Sequence, residues 1–172
     1  DAPSTGQAYP ALGTAMVISL INNVGSLPTK NWQQNYFEDT EDISGEKLAE
    51  EYLVRNSHCH RCPIGCGRVV KIDDREVGGP EYETVWAYGA NLMNNNLDTI
   101  NRANELCNEY GFDTISMAST IGSAMELYDR GLITEEDLDG GPPLTWGNSA
   151  AILGWTKRAG RSEGKLGKLL AQ

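Results

Sequence analysis

Helical periodicity dominates the distribution of apolar positions along this chain. In the segment 99–110, the residues Ile100, Ala103 and Cys107 recur every three or four positions, which places them on one face of a helix. Only the segment 68–73 alternates enough to predict a short strand. The predicted helices cover 11–24, 46–55, 81–93, 99–110, 114–130 and 146–159. This pattern predicts a mostly α, multihelical fold, and we expect residues 1–172 to form a single domain.

Residues that favour helix ends mark several boundaries. Ser44 and Asp98 are predicted N-caps for helices that begin near residues 46 and 99. Gly111 fits the position just past a helix end, where the backbone turns left-handed. The segments 1–6 and 76–80 contain small, polar or turn-forming residues, and we expect a loop and a turn there.

The charge of the chain is strongly acidic, with 24 Asp and Glu residues against 14 Lys and Arg residues and a net charge of −10. Phosphate backbones attract clustered Lys and Arg, so this balance argues against a nucleic-acid partner. The longest apolar stretch, 11–24, is interrupted by Gly13 and Asn22 and is too short for a membrane span. No basic leader precedes an apolar stretch, so we expect a cytoplasmic protein without a membrane partner.

The run 58–67 holds the main candidate chemistry, because Cys59, Cys62 and Cys66 follow the spacing C-x2-C-x3-C. Three thiolates this close can bind one soft metal centre. A [4Fe–4S] cluster takes four ligands, usually thiolates, and the run supplies three. Zinc is an alternative, with His58 and His60 beside Cys59 as possible nitrogen ligands, although ligands at adjacent positions strain a tetrahedral site. A third interpretation is a set of inert, buried thiols.

The fourth cysteine, Cys107, lies far from this run in sequence. It falls on a predicted helix face beside Ile100 and Ala103, where a cysteine usually acts as a small core residue. A fourth cluster ligand would then come from outside this chain.

Two carboxylates, Glu81 and Glu83, stand among the aromatic residues Tyr82 and Trp86. A carboxylate in an apolar setting can serve in proton transfer, because desolvation raises its pKa. The alternative is a pair of solvated surface glutamates.

Asp113 joins one predicted helix to the next, directly after Gly111 and Phe112. A carboxylate at this place caps the following helix. It could also accept hydrogen bonds from the amino and ring N–H groups of a heterocycle.

Five stretches together resemble the tungsten-containing aldehyde:ferredoxin oxidoreductases. They fall in order along the chain, and their combination is much more specific than any one of them. The stretches are 13–15 (Gly-Thr-Ala), 27–31 (Leu-Pro-Thr-Lys-Asn), 59–68 (the cysteine run), 79–86 (Gly-Pro-Glu-Tyr-Glu-Thr-Val-Trp) and 104–116 (Asn-Glu-Leu-Cys-Asn-Glu-Tyr-Gly-Phe-Asp-Thr-Ile-Ser).

The resemblance implies a particular chemistry. Members of that family hold a tungsten (or molybdenum) ion between two pterin cofactors, beside one [4Fe–4S] cluster. They oxidise an aldehyde substrate to a carboxylic acid and pass the electrons to ferredoxin. This chain is similar only to the middle helical domain, so we expect a fragment whose partners include the missing N- and C-terminal domains of the same enzyme. We expect the fragment alone to be inactive.

The resemblance also assigns roles to residues. Cys59, Cys62 and Cys66 would be three of the four cluster ligands. A glutamate of the Glu-Tyr-Glu run would assist proton transfer near the metal, with Glu83 preferred to Glu81. The family's pterin-binding pattern Asp-x-x-Gly-Leu-Asp/Cys is matched by the run 109–113. In that run Glu109 replaces the first Asp, Gly111 is kept, Phe112 replaces Leu, and Asp113 ends the pattern.

Two other hypotheses remain for the function. The chain could be a non-catalytic iron–sulfur module for electron transfer. It could also be a zinc-stapled interaction domain, in which the metal serves only the fold.

Overall fold

A computed structural model describes residues 2–172 of the chain. Helices make up 53% of it, which confirms the predicted multihelical fold. No helix in this described part combines the length and the apolar character needed to span a bilayer. The α-helices are α1 (Tyr9–Leu12), α2 (Val17–Asn23), α3 (Gly45–Glu51), α4 (Tyr82–Tyr88), α5 (Leu97–Tyr110), α6 (Thr114–Asp129), α7 (Ser149–Gly160) and α8 (Gly164–Leu170).

The three strands form one small antiparallel sheet in the order β1-β2-β3. They are β1 (Leu53–Ser57), β2 (Gly67–Ile72) and β3 (Arg75–Gly78). Ser57 pairs with Gly67, so the segment 58–66 is the loop of a hairpin, and we call it the cysteine loop. The sheet therefore sets where both ends of the cysteine loop lie.

Helix α5 lies at the centre of the fold. It packs against α4, α6, α7 and β2. Ile100, Ala103 and Cys107 are fully buried, as their helical spacing predicts. Tyr88 of α4 and Trp155 of α7 are also fully buried in the same core. These contacts hold α4 and α6, which carry several candidate residues, in fixed positions around α5.

The helix predicted over 11–24 is divided in the structure. Gly13, with φ 67° and ψ −166°, separates α1 from a single helical turn, Thr14–Met16, that leads into α2. A loop is expected over the segment 1–6, but a helical turn, Ser4–Ala8, begins inside it. These differences matter because the break at Gly13 lies next to the cysteine loop.

Two strands, β1 and β3, are absent from the sequence prediction. The helix expected to reach residue 55 ends at Glu51, and the next residues pair with β2. The turn expected over 76–80 contributes to β3. Neither strand alternates clearly between apolar and polar residues, so the sequence offers little sign of either. Pairing with the buried strand β2 decides their conformation instead.

Helix capping agrees with the sequence at several ends. Ser44 caps α3 by accepting a hydrogen bond from the Lys47 amide at 3.2 Å. Gly111 ends α5 with φ 73°. Asn96, rather than Asp98, is the N-cap of α5, and its side chain accepts from the Thr99 amide at 3.0 Å.

Candidate functional site

The cysteine loop is fixed partly by its own polar contacts. The Cys62 amide donates to the Cys59 carbonyl at 2.9 Å. The Nδ1 atom of His58 lies 3.0 Å from the Cys62 carbonyl and donates to it when this nitrogen carries the proton. Gly65, at φ 65°, packs against the His58 ring so closely that a Cβ atom would lie 2.4 Å from it. His58 therefore supports the backbone of the loop.

Arg68 holds the base of the cysteine loop. Its guanidinium is buried and donates to the carbonyls of Gly65 at 2.9 Å and Cys66 at 3.0 Å. It also donates to three carbonyls at the end of α1, those of Tyr9, Pro10 and Ala11, at 3.1–3.2 Å. One side chain therefore ties the loop to the N-terminal part of the chain.

The environment of Arg68 keeps its positive charge next to the thiols. Burial lowers the pKa of Arg68, while the negative charge of Glu81 acts in the opposite direction. An arginine stays protonated in proteins even so. The site therefore includes a fixed cation within hydrogen-bonding distance of the backbone of Cys66.

The donor set of the cysteine loop consists of three thiols, a ligand type that both iron–sulfur clusters and zinc use. Cys59 is exposed, Cys62 and Cys66 are half-buried, and all three are free thiols. Within residues 2–172, no group of three His, Cys, Asp or Glu side chains converges as the ligands of one ion. Zinc needs its ligand atoms around one point, whereas a cluster distributes them over several iron atoms.

The two candidate glutamates have different surroundings. Glu81 is half-buried and accepts a hydrogen bond from Thr14 Oγ1 at 2.5 Å. The same hydroxyl accepts from the Tyr82 amide at 2.8 Å, so Thr14 fixes the start of α4. Glu83 is exposed, and its side chain makes no hydrogen bond or ion pair with another residue of the described part. Its carboxylate is the freer of the two to meet a ligand.

Asp113 is the N-cap of α6, as one of its two interpretations predicts. Its Oδ2 atom accepts from the Ser116 amide at 2.7 Å. Hydrogen bonds from Ser116 lower the pKa of Asp113, so the carboxylate is ionised at neutral pH. It is exposed, and an ionised oxygen has further acceptor positions for a ligand.

A hydrogen bond joins the starts of α4 and α6. The hydroxyls of Thr84 and Thr114 lie 2.7 Å apart, and the two helices pack along their lengths. Thr84 follows Glu83 and Thr114 follows Asp113 in sequence. The two candidate carboxylates therefore stand on adjacent helix starts.

Glu109 points towards another part of the molecule. Its Oε1 atom lies 4.0 Å from Arg75 of β3, in a cavity that Lys157 also lines. The residue three positions before Gly111 is Asn108, so the spacing of the pterin-binding pattern assigns Asn108 to the first position and leaves Glu109 one place late. Asn108 is exposed and is the residue that the sequence interpretation missed.

Phe112 and Cys107 support the turn between α5 and α6. Phe112 is half-buried, with its ring centroid 6.2 Å from that of Tyr110. Cys107 is fully buried, and its Sγ atom lies 3.1 Å from the Tyr88 hydroxyl. Burial raises the pKa of Cys107. These contacts agree with the prediction that Cys107 is a core residue.

Arg68, Thr14 and Gly13 are parts of the site that the sequence interpretation left without a role. Each lies inside a stretch that carries the family resemblance. A Cβ atom at Gly13 would lie 3.0 Å from both Arg68 Nε and the Cys66 carbonyl oxygen. The sequence signal for these residues is their place in the short motifs of the family. The contacts that explain their role join residues far apart in the chain.

The comparisons with known proteins identify the family. A family model described as aldehyde ferredoxin oxidoreductase, domains 2 and 3, matches residues 1–172. The chain therefore belongs to the aldehyde ferredoxin oxidoreductase family.

Among curated proteins, the chain is similar to the tungsten-containing aldehyde ferredoxin oxidoreductase of Pyrococcus abyssi, with 46% identity over 99% of this chain and 28% of that protein. The protein of the same name from Thermococcus kodakarensis is 46% identical over 87% of this chain and 25% of its own length. An aliphatic sulfonate oxidoreductase, WOR-like subunit, of Pyrococcus furiosus is 31% identical over 86% of this chain and 24% of its own length. The chain thus spans about a quarter of the length of these relatives.

The chain also shares its fold with a solved structure. It is the active site complex BamBC of benzoyl coenzyme A reductase, with a TM-score of 0.69 and 20% identity over 93% of this chain and 25% of that chain. At this identity the likeness shows the fold alone.

Proposed function

We propose that this chain is the cluster-binding and pterin-facing part of a tungsten-containing aldehyde oxidoreductase. The proposal rests on family membership and on the names of the relatives, which are up to 46% identical to this chain over the aligned residues. The remaining domains of the same enzyme would complete the site.

A continuous series of contacts is the observation that best supports this proposal. Arg68 joins the cysteine loop to the end of α1, and Gly13 and Thr14 follow directly. Thr14 holds Glu81 at the start of α4. Thr84 then joins α4 to the start of α6, beside Asp113. Candidate cluster ligands, a free carboxylate and a candidate pterin acceptor are therefore linked through only a few side chains.

The proposed reaction converts an aldehyde and one water molecule into a carboxylic acid, two protons and two electrons. When bound, a tungsten (or molybdenum) bis-pterin centre supplies a two-electron acceptor, and a [4Fe–4S] cluster supplies a one-electron relay towards ferredoxin. Cys59, Cys62 and Cys66 would hold the cluster, with the fourth ligand from outside this chain. We expect the enzyme to carry out this role in the cytoplasm.

The chain's own polar residues would serve this reaction in two ways. Glu83 would accept a proton released from the water or the aldehyde, because its carboxylate is free of internal partners. Asp113 would accept hydrogen bonds from the N–H groups of a pterin while it caps α6. Arg68 would keep a positive charge behind the thiolates and offset their negative charge.

The test uses the full-length parent enzyme, purified without air. We expect iron, acid-labile sulfide and tungsten or molybdenum in the wild type, together with aldehyde-dependent reduction of a viologen dye. The Cys62→Ser variant should lose most of the iron. Cys107→Ser is the matched control, since Cys107 is buried in the core away from the cysteine loop and its change should leave the iron content unaltered.

Other metal contents would favour the other hypotheses. Iron and sulfide without a group-six metal would favour the electron-transfer module. Zinc in place of iron would favour the stapled interaction domain. A wild type with neither iron nor a group-six metal would contradict the proposal.

A further inference from the structure

The loop 29–34 has an unusual backbone. Thr29 and Gln34 pair as an isolated antiparallel bridge, which closes the loop. Between them, Lys30, Asn31 and Trp32 adopt positive φ values of 52°, 50° and 66°. Non-glycine residues avoid this region, and a bulky residue such as tryptophan avoids it most. Such strain persists only where the surrounding structure enforces it, and it often accompanies ligand sites.

Several contacts enforce this conformation. The amides of Lys30 and Asn31 donate to the carbonyls of Ala90 and Asn91 at 3.1 and 2.9 Å. The Asn31 side chain donates to Glu126 at 2.6 Å. The Lys30 ammonium group lies 5.4 Å from the centre of the Trp146 ring. The fold therefore holds the loop rigidly from both α6 and the turn after α4.

The result of this strain is to present Trp32 to the outside. The side chain is 67% exposed, and its ring meets the ring of Trp86 edge-on, with centroids 5.6 Å apart and an interplanar angle of 72°. Trp86 is itself fixed, because its Nε1 atom donates to the Pro28 carbonyl at 2.7 Å. We call Trp32 and Trp86 the aromatic wall.

The aromatic wall stands beside the proposed proton acceptor. Glu83 precedes Trp86 by three residues on α4, and residues at this spacing are neighbours on the same helix face. A free carboxylate and two fixed indole rings therefore share one surface. This combination offers a polar reaction point with an apolar surface next to it.

Other exposed apolar residues lack these features. Val24 and Leu132 are each 69% exposed, but both have ordinary negative φ values. Neither side chain is aromatic, so neither forms a ring pair like that of Trp32 and Trp86. Trp32, in contrast, is exposed on a strained backbone. An ordinary surface position would not require that strain.

We propose that the aromatic wall lines the substrate pocket and selects aldehydes with a flat aromatic or bulky apolar group. The inference rests on the proposed function and deepens it. An aryl group stacks on the indole rings of Trp32 and Trp86 while its aldehyde carbon lies towards Glu83. The opposite side of the pocket belongs to the rest of the enzyme.

The test compares two aldehydes in the full-length enzyme. In Trp32→Ala, we expect kcat/KM for benzaldehyde to fall about tenfold or more, mainly through KM, and kcat/KM for acetaldehyde to stay within about twofold. Trp32→Phe should restore most of the benzaldehyde value, since it keeps an aromatic ring. Leu132→Ala, at an equally exposed residue away from the loop, should change neither value.

The outcomes separate the inference from the proposed function. An equal loss for both aldehydes in Trp32→Ala, or no loss for either, would overturn the inference and assign Trp32 to contact with the rest of the enzyme. If the wild type oxidises neither aldehyde while retaining its metals, the proposed function fails and the inference fails with it.

Discussion

At the scale of single residues, Arg68 shows how a buried charge can be held without a direct ion pair. Only 3% of the residue is exposed, and in residues 2–172 no carboxylate lies within ion-pair distance of it. Carbonyl oxygens of the cysteine loop and α1 receive its N–H groups instead. The carbonyls of Tyr9 and Pro10 also accept from the Gly13 amide and the Asn56 side chain, whereas those of Ala11, Gly65 and Cys66 accept from Arg68. Hydrogen bonds to charged groups are among the stronger ones.

Replacing Arg68 should therefore destabilise the fold. For Arg68→Met we expect the free energy of unfolding of this chain to fall by about 3 kcal/mol, since the carbonyls of Ala11, Gly65 and Cys66 lose the donor that Arg68 supplies. Denaturation in urea, followed by circular dichroism, measures the change. The control is Arg55→Met. The Arg55 side chain is 63% exposed and forms a surface ion pair with Glu76 at 3.7 Å, so this substitution should change the free energy of unfolding by less than about 0.5 kcal/mol. Equal effects of the two variants would contradict this account.

Substitutions of Asp113 can separate its effect as the N-cap of α6 from the effect of its negative charge. Asp113→Ala should lower the free energy of unfolding by about 1 kcal/mol because α6 loses its N-cap, whereas Asp113→Asn should lower it much less because asparagine also caps helices. In the parent enzyme both variants should weaken pterin retention if the ionised oxygen is what binds. Retention of the pterin by both would show that Asp113 only caps.

The pH dependence follows from the direction of the pKa shift. The pKa of Asp113 is lower in the folded chain than in the unfolded chain, so its stabilising effect is present above the unfolded pKa and is lost as the pH falls through the folded one. The stability advantage of the wild type over Asp113→Asn should therefore shrink below about pH 4. Urea titrations at pH 7 and pH 3 check this expectation.

At the scale of helices and strands, the break at Gly13 shows what local pattern cannot reveal. The apolar residues of 11–24 suit one helix, but the chain turns at Gly13 to meet Arg68 and the Cys66 carbonyl. The combination of φ 67° and ψ −166° belongs to a region that essentially only glycine occupies.

A side chain at Gly13 should disturb both backbone and contact. Gly13→Ala is expected to cost about 2 to 4 kcal/mol, because backbone strain adds to a Cβ atom placed against Arg68. Gly25→Ala is the control, since Gly25 has a similar φ of 66° but no neighbouring atom within 4 Å of where a Cβ atom would lie. Thermal unfolding of both variants measures the difference. A smaller loss for Gly13→Ala than for Gly25→Ala would contradict this explanation.

The elements that could be predicted from sequence are those whose pattern is local. Helices α5 and α6 carry their apolar faces and end residues within one stretch, and both are found where expected. Strands β1 and β3 depend on pairing with β2, so their own residues carry little signal. The site follows the same rule: the three cysteines lie together in sequence, whereas Arg68 and Thr14 act on residues more than fifty positions away.

At the scale of the whole molecule, the chain matches only part of the length of its relatives. It spans about a quarter of the relatives' length, and three of its candidate site residues, Cys59, Glu83 and Asp113, are exposed. Chemistry on an aldehyde needs a site that positions the substrate and excludes bulk water. Under the proposed function, this chain would offer one side of such a site.

We therefore expect residues 1–172 alone to lack activity. After anaerobic reconstitution with iron and sulfide, the isolated chain should not reduce a viologen dye with any aldehyde, while the parent enzyme should. The parent assayed under the same conditions is the control. Aldehyde-dependent reduction by the isolated chain would refute this expectation.

The pairing of Ser57 with Gly67 has a consequence for metal affinity. A free peptide carrying the same thiols would lose chain entropy on wrapping around a metal centre, and that loss would weaken binding. In the folded chain, strand pairing already holds the two ends of the cysteine loop together. Much of this entropy is therefore lost on folding, before a metal centre binds. For the proposed metal centre, affinity would thereby be coupled to the strength of strand pairing, and loosening the hairpin would release the metal without altering any thiol.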